Sequence, residues 1–476
     1  MAARKESPTP PARPSRADLS REIERLRRAL DDAERARTRL ERENDRLKTE
    51  LEAARRAGKR QAAPFSKGPP TTTPRRPGRP EGRRHGRHAH RRAPAQVDDV
   101  IDVPLPAACP DCGGGLEATR VATQVQEDLP VVRPRVRQFD IHVGHCRQCG
   151  RRVQGRHPLQ TTDALGAASA HVGPQAVALM VVLNKYLGLS HAKIATLLRD
   201  WFTLTLRPSA VTHALHRAAR QAAPTYAALR DTIRGSPVVS PDETSWKVGG
   251  QLHWLWAFAT PTTVLYTIAR GRGFADAEAV LGADYAGVLV RDGWAPYRQF
   301  TDARHQTCFA HLLRRAKDLA TTHPRATWPR QVSALLQDAL ALRDRHTAGT
   351  VSDHGLAVAR GHLVTRLATC LGAPVRHADL QRFAAHLTVE LPAMFGFLFD
   401  PTVDATNWRA EHAIRPAVVN RKVSGGNRSP RGADAQQILA SLVHTARLRH
   451  LDTREILVDL LQAPTPTVSP VLASPN

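Results

Sequence analysis

Ser236-Pro237-Val238-Val239-Ser240-Pro241-Asp242-Glu243-Thr244-Ser245-Trp246 is the stretch on which the fold turns. A β-branched run leads to a carboxylate, and Trp246-Lys247-Val248 with Gly249-Gly250 follows. The pattern predicts a strand ending near Asp242, a bend, and a second strand entering a hairpin. Two later acids have settings that match it. Asp292 closes Gly287-Val288-Leu289-Val290-Arg291-Asp292-Gly293, and Glu411 lies in Asn407-Trp408-Arg409-Ala410-Glu411-His412-Ala413-Ile414-Arg415. Three carboxylates on two strand ends and a helix can hold two divalent ions, Mg2+ or Mn2+, which is the equipment for phosphodiester chemistry. Hard cations take oxygen ligands, so these acids, not the cysteines, should carry that step.

Around this stretch Val238–Ser240, Ser245–Val248, His253–Ala259, Val264–Ala269 and Val288–Arg291 read as strands. Ala275–Leu281 and Thr307–Leu319 read as helices. A meander followed by alternating strands and helices predicts an α/β, ribonuclease-H-like catalytic core over 235–462. Asp242 and Asp292 would lie on adjacent central strands, with Glu411 on a late helix packed beneath them. Helical patterns at Gln331–Arg345, Leu356–Cys370 and Leu380–Leu391 predict an all-α insertion over about 325–398. Glu243 should point to the opposite face of an extended chain, which keeps it outside the acidic set.

The remainder of the chain reads as a means of delivering a polyanion to that site. Lys+Arg 69 against Asp+Glu 44 gives a formal charge of +25, which favours nucleic acid over membrane as partner. No apolar run reaches the length of a spanning helix, and Met1–Arg16 has no secretory pattern. A reducing, cytoplasmic, nucleoid-associated setting is expected. Over 18–54 a heptad places Ile23, Leu30, Arg37, Asn44 and Leu51 at a, and Leu26, Ala33, Leu40 and Leu47 at d. This predicts a coiled coil and hence a homo-oligomer. Residues 55–96 form a basic Pro/Gly linker, expected to be disordered. Its Pro77-Gly78-Arg79-Pro80 suits either a minor-groove hook or a solvated segment.

Cys109-Pro110-Asp111-Cys112 and Cys146-Arg147-Gln148-Cys149, each followed by glycine, predict a zinc ribbon over 97–160 with one structural Zn2+ on four thiolates and strands between the pairs. Residues 170–232 are helical, with Ser190 and Ser209 as candidate caps. They suit a DNA-reading helix-turn-helix or simple packing helices. Cys308 and His311, one helical turn apart, could face the acidic site, hold a second zinc, or belong to a packed helix. Arg415, Arg421, Lys422 and Arg428 are candidates for the DNA backbone or a solvated basic face. The Pro/Thr/Ser-rich tail, 463–476, is expected to be disordered.

Several of these motifs occur together, in order. They are Pro241-Asp242-Glu243-Thr244, Arg291-Asp292-Gly293-Trp294, Cys308-Phe309-Ala310-His311-Leu312-Leu313-Arg314-Arg315, and Thr406-Asn407 with Ala410-Glu411, Ala413-Ile414-Arg415-Pro416 and Arg421-Lys422. The chain thereby resembles the insertion sequence 66 family of DDE transposases over nearly its whole length. Two departures are Trp408, where the family commonly carries a second Asn, and Val423-Ser424-Gly425-Gly426-Asn427, where it is usually more aromatic. The resemblance implies that Asp242, Asp292 and Glu411 form the DDE triad. It also implies action on the terminal inverted repeats of the chain's own element and on target DNA, with element-encoded accessory proteins. Arg314 would belong to the neighbourhood of the site. A regulator that binds DNA without catalysis and a nuclease of the same fold are the rival readings.

Overall fold

The computed structural model of the chain describes residues 16–58, 94–166 and 171–474. Two compact units divide the chain, Met1–Gln126 and Glu127–Asn476. In the first, α1 (Arg16–Gly58) is one helix of 43 residues. Pairs such as Arg25–Glu22 and Arg28–Glu24 line its solvent-exposed surface. Its apolar stripe, Ile23, Leu26, Leu30, Leu40 and Leu47, stands 51–68% exposed. The basic linker expected at 55–96 lies almost wholly outside the described residues, and its first four residues extend α1.

The second unit opens with a small antiparallel hairpin, β1 (Val143–His145) and β2 (Arg152–Gln154). Residues 115–142, expected to contain strands, form none. Val121, Val131 and Val136 are 88–96% exposed, and Pro130 and Pro134 remove backbone donors. Without a surface to pack on, β propensity does not make a sheet.

Three helices follow: α2 (Pro174–Lys185), α3 (His191–Phe202) and α4 (Pro208–Arg234). Ser190 caps α3 by accepting from Lys193 N. Ser209 does not cap α4, which begins a residue earlier, with Pro208 in its first turn. Pro208 fits there because that turn needs no N–H from it. Val177, Ile194, Leu198, Val211, Leu215 and Leu229 share one core with the sheet residues Val239, Trp256, Phe258, Leu265 and Leu289. These helices therefore pack as part of the sheet's own core.

The sheet contains β3 (Val238–Val248), β4 (Gln251–Ala259), β5 (Val264–Ala269), β6 (Val288–Arg291) and β7 (Arg304–Thr307), with α5 (Phe274–Leu281) between β5 and β6. Its order is β5-β4-β3-β6-β7. The first three strands are antiparallel, and β6 and β7 run parallel to β3. The expected break at Asp242 is absent, since β3 runs unbroken through Pro241. Pairing with β6 ends at Val239↔Leu289. The Pro241 carbonyl accepts from Asn407 Nδ2 at 2.8 Å. A strand residue's N and O point to the same edge, so the N–H that proline lacks falls where the ladder has already ended. β7 lies where the sequence predicts no strand, and Thr307 ends it instead of opening the next helix. Its residues Arg304-His305-Gln306 are polar, and buried Gln306 is satisfied by bonds to Met394 O, Thr307 O and Phe397 N.

Beyond the sheet come α6 (Phe309–Thr322), α7 (Trp328–Thr347), α8 (Asp353–Gly372) and α9 (Ala378–Glu390). Leu335, Leu363, Phe383 and Phe397 join Val288 and Val290 of β6 in a second core. Next are α10 (Trp408–Ser424), α11 (Pro430–Leu448) and α12 (Thr453–Gln462). Ala410, Ala413, Ile414 and Ala417 of α10 pack on Trp246 and Val248 of β3. The tail expected to be disordered is docked as far as residue 474. A last turn, α13 (Pro470–Ala473), buries Leu472 completely. Arg449 Nη1 collects the carbonyls of Val471, Leu472 and Ser474, and Thr225 bonds Thr467 O and Ser469 N. One apolar anchor and one arginine fork outweigh a composition that suggests disorder.

Candidate functional site

Strand alternation places the first two acids. Val238 pairs with Val288 in the parallel ladder. Asp242 and Asp292 each lie four residues further on, so they share one face of the sheet. That is also the face of β3 carrying Trp246 and Val248, which α10 covers. Glu411 lies in the first turn of α10.

Two clamps seat α10 on β3. At its start, buried Asn407 donates from Nδ2 to Pro241 O at 2.8 Å and from its main-chain N to Cys308 Sγ at 3.1 Å. Its carbonyl accepts from Glu411 N at 3.1 Å. At its end, Arg421 donates to Thr244 Oγ1 at 2.9 Å and Ser245 Oγ at 2.7 Å. Arg421, a candidate for the DNA backbone, thus turns inward, because its guanidinium finds hydroxyl acceptors on β3. Past α10, Gly425 (φ 73°) and Gly426 (φ 107°) take left-handed conformations. A Cβ on Gly426 would lie 2.4 Å from Lys247 O. Asn427 can therefore bond Lys247 O and receive Trp246 Nε1.

Main-chain N–H groups orient both aspartates. Asp242 Oδ1 accepts from Glu243 N and Asp292 Oδ1 from Trp294 N, each at 2.9 Å. Burial first, then Glu243, Asp292 and Glu411, push the Asp242 carboxyl up to about 7. The fields of both other acids therefore reach Asp242. Glu243 faces away into a buried network with Arg272 Nε at 2.7 Å and Tyr297 OH at 2.6 Å. Arg272 lies 4.0 Å from the Trp294 ring centroid, which steadies the loop after Asp292.

Behind Asp292, Arg291 Nη1 bonds Asp292 O at 2.9 Å and Glu390 Oε2 at 2.6 Å, while Arg298 reaches Glu390 Oε1 at 3.2 Å. The fully buried Glu390 ends α9, so the helical insertion is tied to the strand that carries Asp292. A cavity of about 400 Å³ opens beside this loop, lined by Asp292, Cys308, His311, Arg314, Arg315 and His386. A Cβ on Gly293 would meet His386 Cε1 at 2.4 Å, so glycine permits this close approach of α9. Arg314, Arg415, Lys422 and Arg428 are exposed.

Sequence reasoning missed Asn407, Arg272 and Glu390 as organisers of the site. Asn407 sits in the motif around Glu411 with nothing local to show what it bonds, and Arg272 and Glu390 carry no local signal.

The two cysteine pairs have the same local form. Gly113 N bonds Cys109 O and Gly150 N bonds Cys146 O, both at 2.9 Å, and both glycines have positive φ, 74° and 67°. Main-chain N–H groups of Cys112 and Asp111 lower the Cys109 thiol, and those of Cys149 and Gln148 lower Cys146. Each is a thiolate-favouring knuckle. Among the described residues no helix is long and apolar enough to cross a membrane.

Two curated proteins of Sinorhizobium fredii are similar to this chain. Uncharacterized protein y4jD is 25% identical over 405 residues, 76% of each chain. Uncharacterized protein y4qI is 25% identical over 232 residues, 44% of this chain and 43% of its own. Residues 170–435 match the transposase IS66 family. That span takes in β3, β6, α10 and the helical insertion, more than half of the sequence, and the chain belongs to the IS66 family of transposases.

Proposed function

We propose that this chain is the DNA transposase of a bacterial insertion sequence, a polynucleotidyl transferase that binds terminal inverted repeats and performs metal-dependent cleavage and strand transfer. One observation carries the reading. Asp242 and Asp292 each follow the Val238↔Val288 pair by four residues on one face of the sheet, and Asn407, four residues before Glu411, bonds Pro241 O next to Asp242. The sheet order, three antiparallel strands and then two parallel ones, supports a ribonuclease-H-like core.

The donor set fits a pair of hard cations. It consists of carboxylate oxygens, and Glu411 Oε1 is buried with no hydrogen-bond partner. Mg2+ or Mn2+ bound there would activate the attacking oxygen and stabilise the leaving one. The chain's own residues supply position. Main-chain N–H groups fix the rotation of both aspartates, and Asn407 sets the first turn of α10 against β3. Arg314, Arg415, Lys422 and Arg428 offer exposed positive charge for phosphates. Water would attack at the element end to free a 3′-hydroxyl, which then attacks target DNA in line.

Two further parts of the reading concern regions apart from this site. The exposed stripe of α1 supports pairing with a second copy as a coiled coil. Cysteine spacing supports structural zinc on Cys109, Cys112, Cys146 and Cys149, and each pair, taken by itself, has the knuckle form. Sedimentation and zinc analysis of the purified chain test these parts.

The central experiment gives the full chain a labelled terminal repeat and Mg2+. The parent should cut and join, and Asp292→Asn should bind the repeat but do neither. Equal cutting and joining by Asp292→Asn sinks the assignment. Cutting without joining by the parent favours a nuclease.

A further inference from the structure

We propose that Cys308, His311 and Glu411 form a separate site for a borderline-soft divalent ion of the Zn2+ class, which withdraws Glu411 from the hard-cation pair. Cys308 precedes α6, His311 lies in its first turn, and Glu411 lies in the first turn of α10. One donor atom from each lies within 4.8 Å of the other two. His311 Nδ1 stands 3.6 Å from Glu411 Oε1. That is too long for a hydrogen bond, yet both atoms are buried without any hydrogen-bond partner. The two side chains are 38% and 39% exposed, and a cation between the two atoms would satisfy both.

The geometry suits a metal. Nitrogen and oxygen ligands about 2.0 Å from a tetrahedral zinc lie roughly 3.3 Å apart, so a small contraction suits His311 and Glu411, while Cys308 Sγ, within 4.8 Å of both, has to draw inward to join them. The Asn407 N–H at the start of α10 bonds Cys308 Sγ, which orients the sulfur and offsets part of the burial that otherwise favours the thiol. A set of one sulfur, one nitrogen and one oxygen selects against Mg2+, which demands octahedral oxygen ligation. Three protein ligands leave a fourth position for water.

Occupation of this site and a hard-cation pair would compete for one carboxylate. Zinc should therefore suppress Mg2+-dependent joining, a consequence that rests on the role proposed for Glu411. Binding itself does not rest on it.

The test uses the full chain, with Co2+ and Zn2+ as probes. Relative to Cys308→Ser and His311→Ala, the parent should retain one more equivalent of Zn2+ after gel filtration. With Co2+, the parent minus Cys308→Ser difference should show a thiolate charge-transfer band. The cysteine knuckles are intact in all three proteins and cancel in the comparison. Circular dichroism checks folding, and His311→Ala, at a half-buried position, decides the matter should Cys308→Ser misfold. Equal zinc content and superposable cobalt spectra overturn the site.

In joining assays, Cys308→Ser should need about tenfold more Zn2+ than the parent for the same fractional inhibition. Equal sensitivity overturns the competition. If the parent is inactive with Mg2+ and the element-encoded accessory proteins together, the transposase reading fails, while the cobalt spectrum still decides the metal site.

Discussion

Asp242 and Glu243 are consecutive residues of one strand, and they meet opposite environments. The Glu243 side chain, 1% exposed, has Arg272 and the Tyr297 hydroxyl to offset much of the rise that burial gives its carboxyl. Asp242 has a single main-chain N–H and two further acids within electrostatic reach. The same contrast recurs after β6, where Glu390 is neutralised by Arg291 and Arg298 while Asp292, next in sequence to Arg291, belongs to the crowded acidic face. A carboxylate balanced by side chains of its own fold serves that fold. One left unbalanced carries a standing cost that folding alone does not explain, which marks it for a ligand.

The strongest way to break this contrast is Asp242→Asn. Strand transfer should fall at least about a thousandfold, roughly 4 kcal/mol of transition-state stabilisation. Unfolding of the metal-free protein should meanwhile shift to higher temperature, because like-charge repulsion is relieved. Labelled-end assays and calorimetry measure the two effects. A variant that loses both activity and stability would place Asp242 with Glu243 as a structural acid.

The balanced member of the contrast is sharpened by Glu390→Ala. It leaves Arg291, 2% exposed, without its carboxylate. Breaking such a buried pair costs about 3 kcal/mol. Urea unfolding should register that loss, and hydrogen exchange should show it first in α9 and the start of the loop after β6. A cost below about 1 kcal/mol would mean that water replaces Glu390, and that the insertion is not held through this pair.

What was legible in the sequence follows the same division. Asp242 and Asp292 stand out in the sequence because β-branched runs lead up to them, and Glu411 because a dense motif surrounds it, which is what makes them candidates. The meander of β3, β4 and β5 was readable from strand runs that follow one another closely in sequence. Partners distant in sequence were not readable. Asn407 works through bonds to residues 99 and 166 positions away, and Glu390 meets Arg291 across 99. β7 escaped notice because buried Gln306 replaces the expected apolar residue. Pro241 suggested a break because its missing N–H looks costly until the end of β6 shows where it points. Arg421 looked like a DNA contact because a sequence shows charge and hides the acceptors on the neighbouring strand.

The smallest effect tests the contrast without any chemistry on DNA. In the metal-free chain the Asp242 carboxyl titrates at about 7 against an ordinary 3.8. Between those values the folded chain holds a proton that the unfolded chain has released, so stability falls as pH rises. The contribution is whole below about pH 4 and lost as pH passes through 7. The full shift corresponds to about 4 kcal/mol, and partial solvation together with coupling to the other acids reduces this to about 2 kcal/mol. Other groups titrate in the same window, so the informative quantity is the difference between parent and Asp242→Asn in chelator, followed by urea unfolding from pH 4 to 8. That difference should grow with pH and shrink when Mg2+ is added, because a bound cation does for Asp242 what Arg272 does for Glu243. A flat difference would mean that Asp242 is already balanced, and the contrast between the two faces of β3 would disappear.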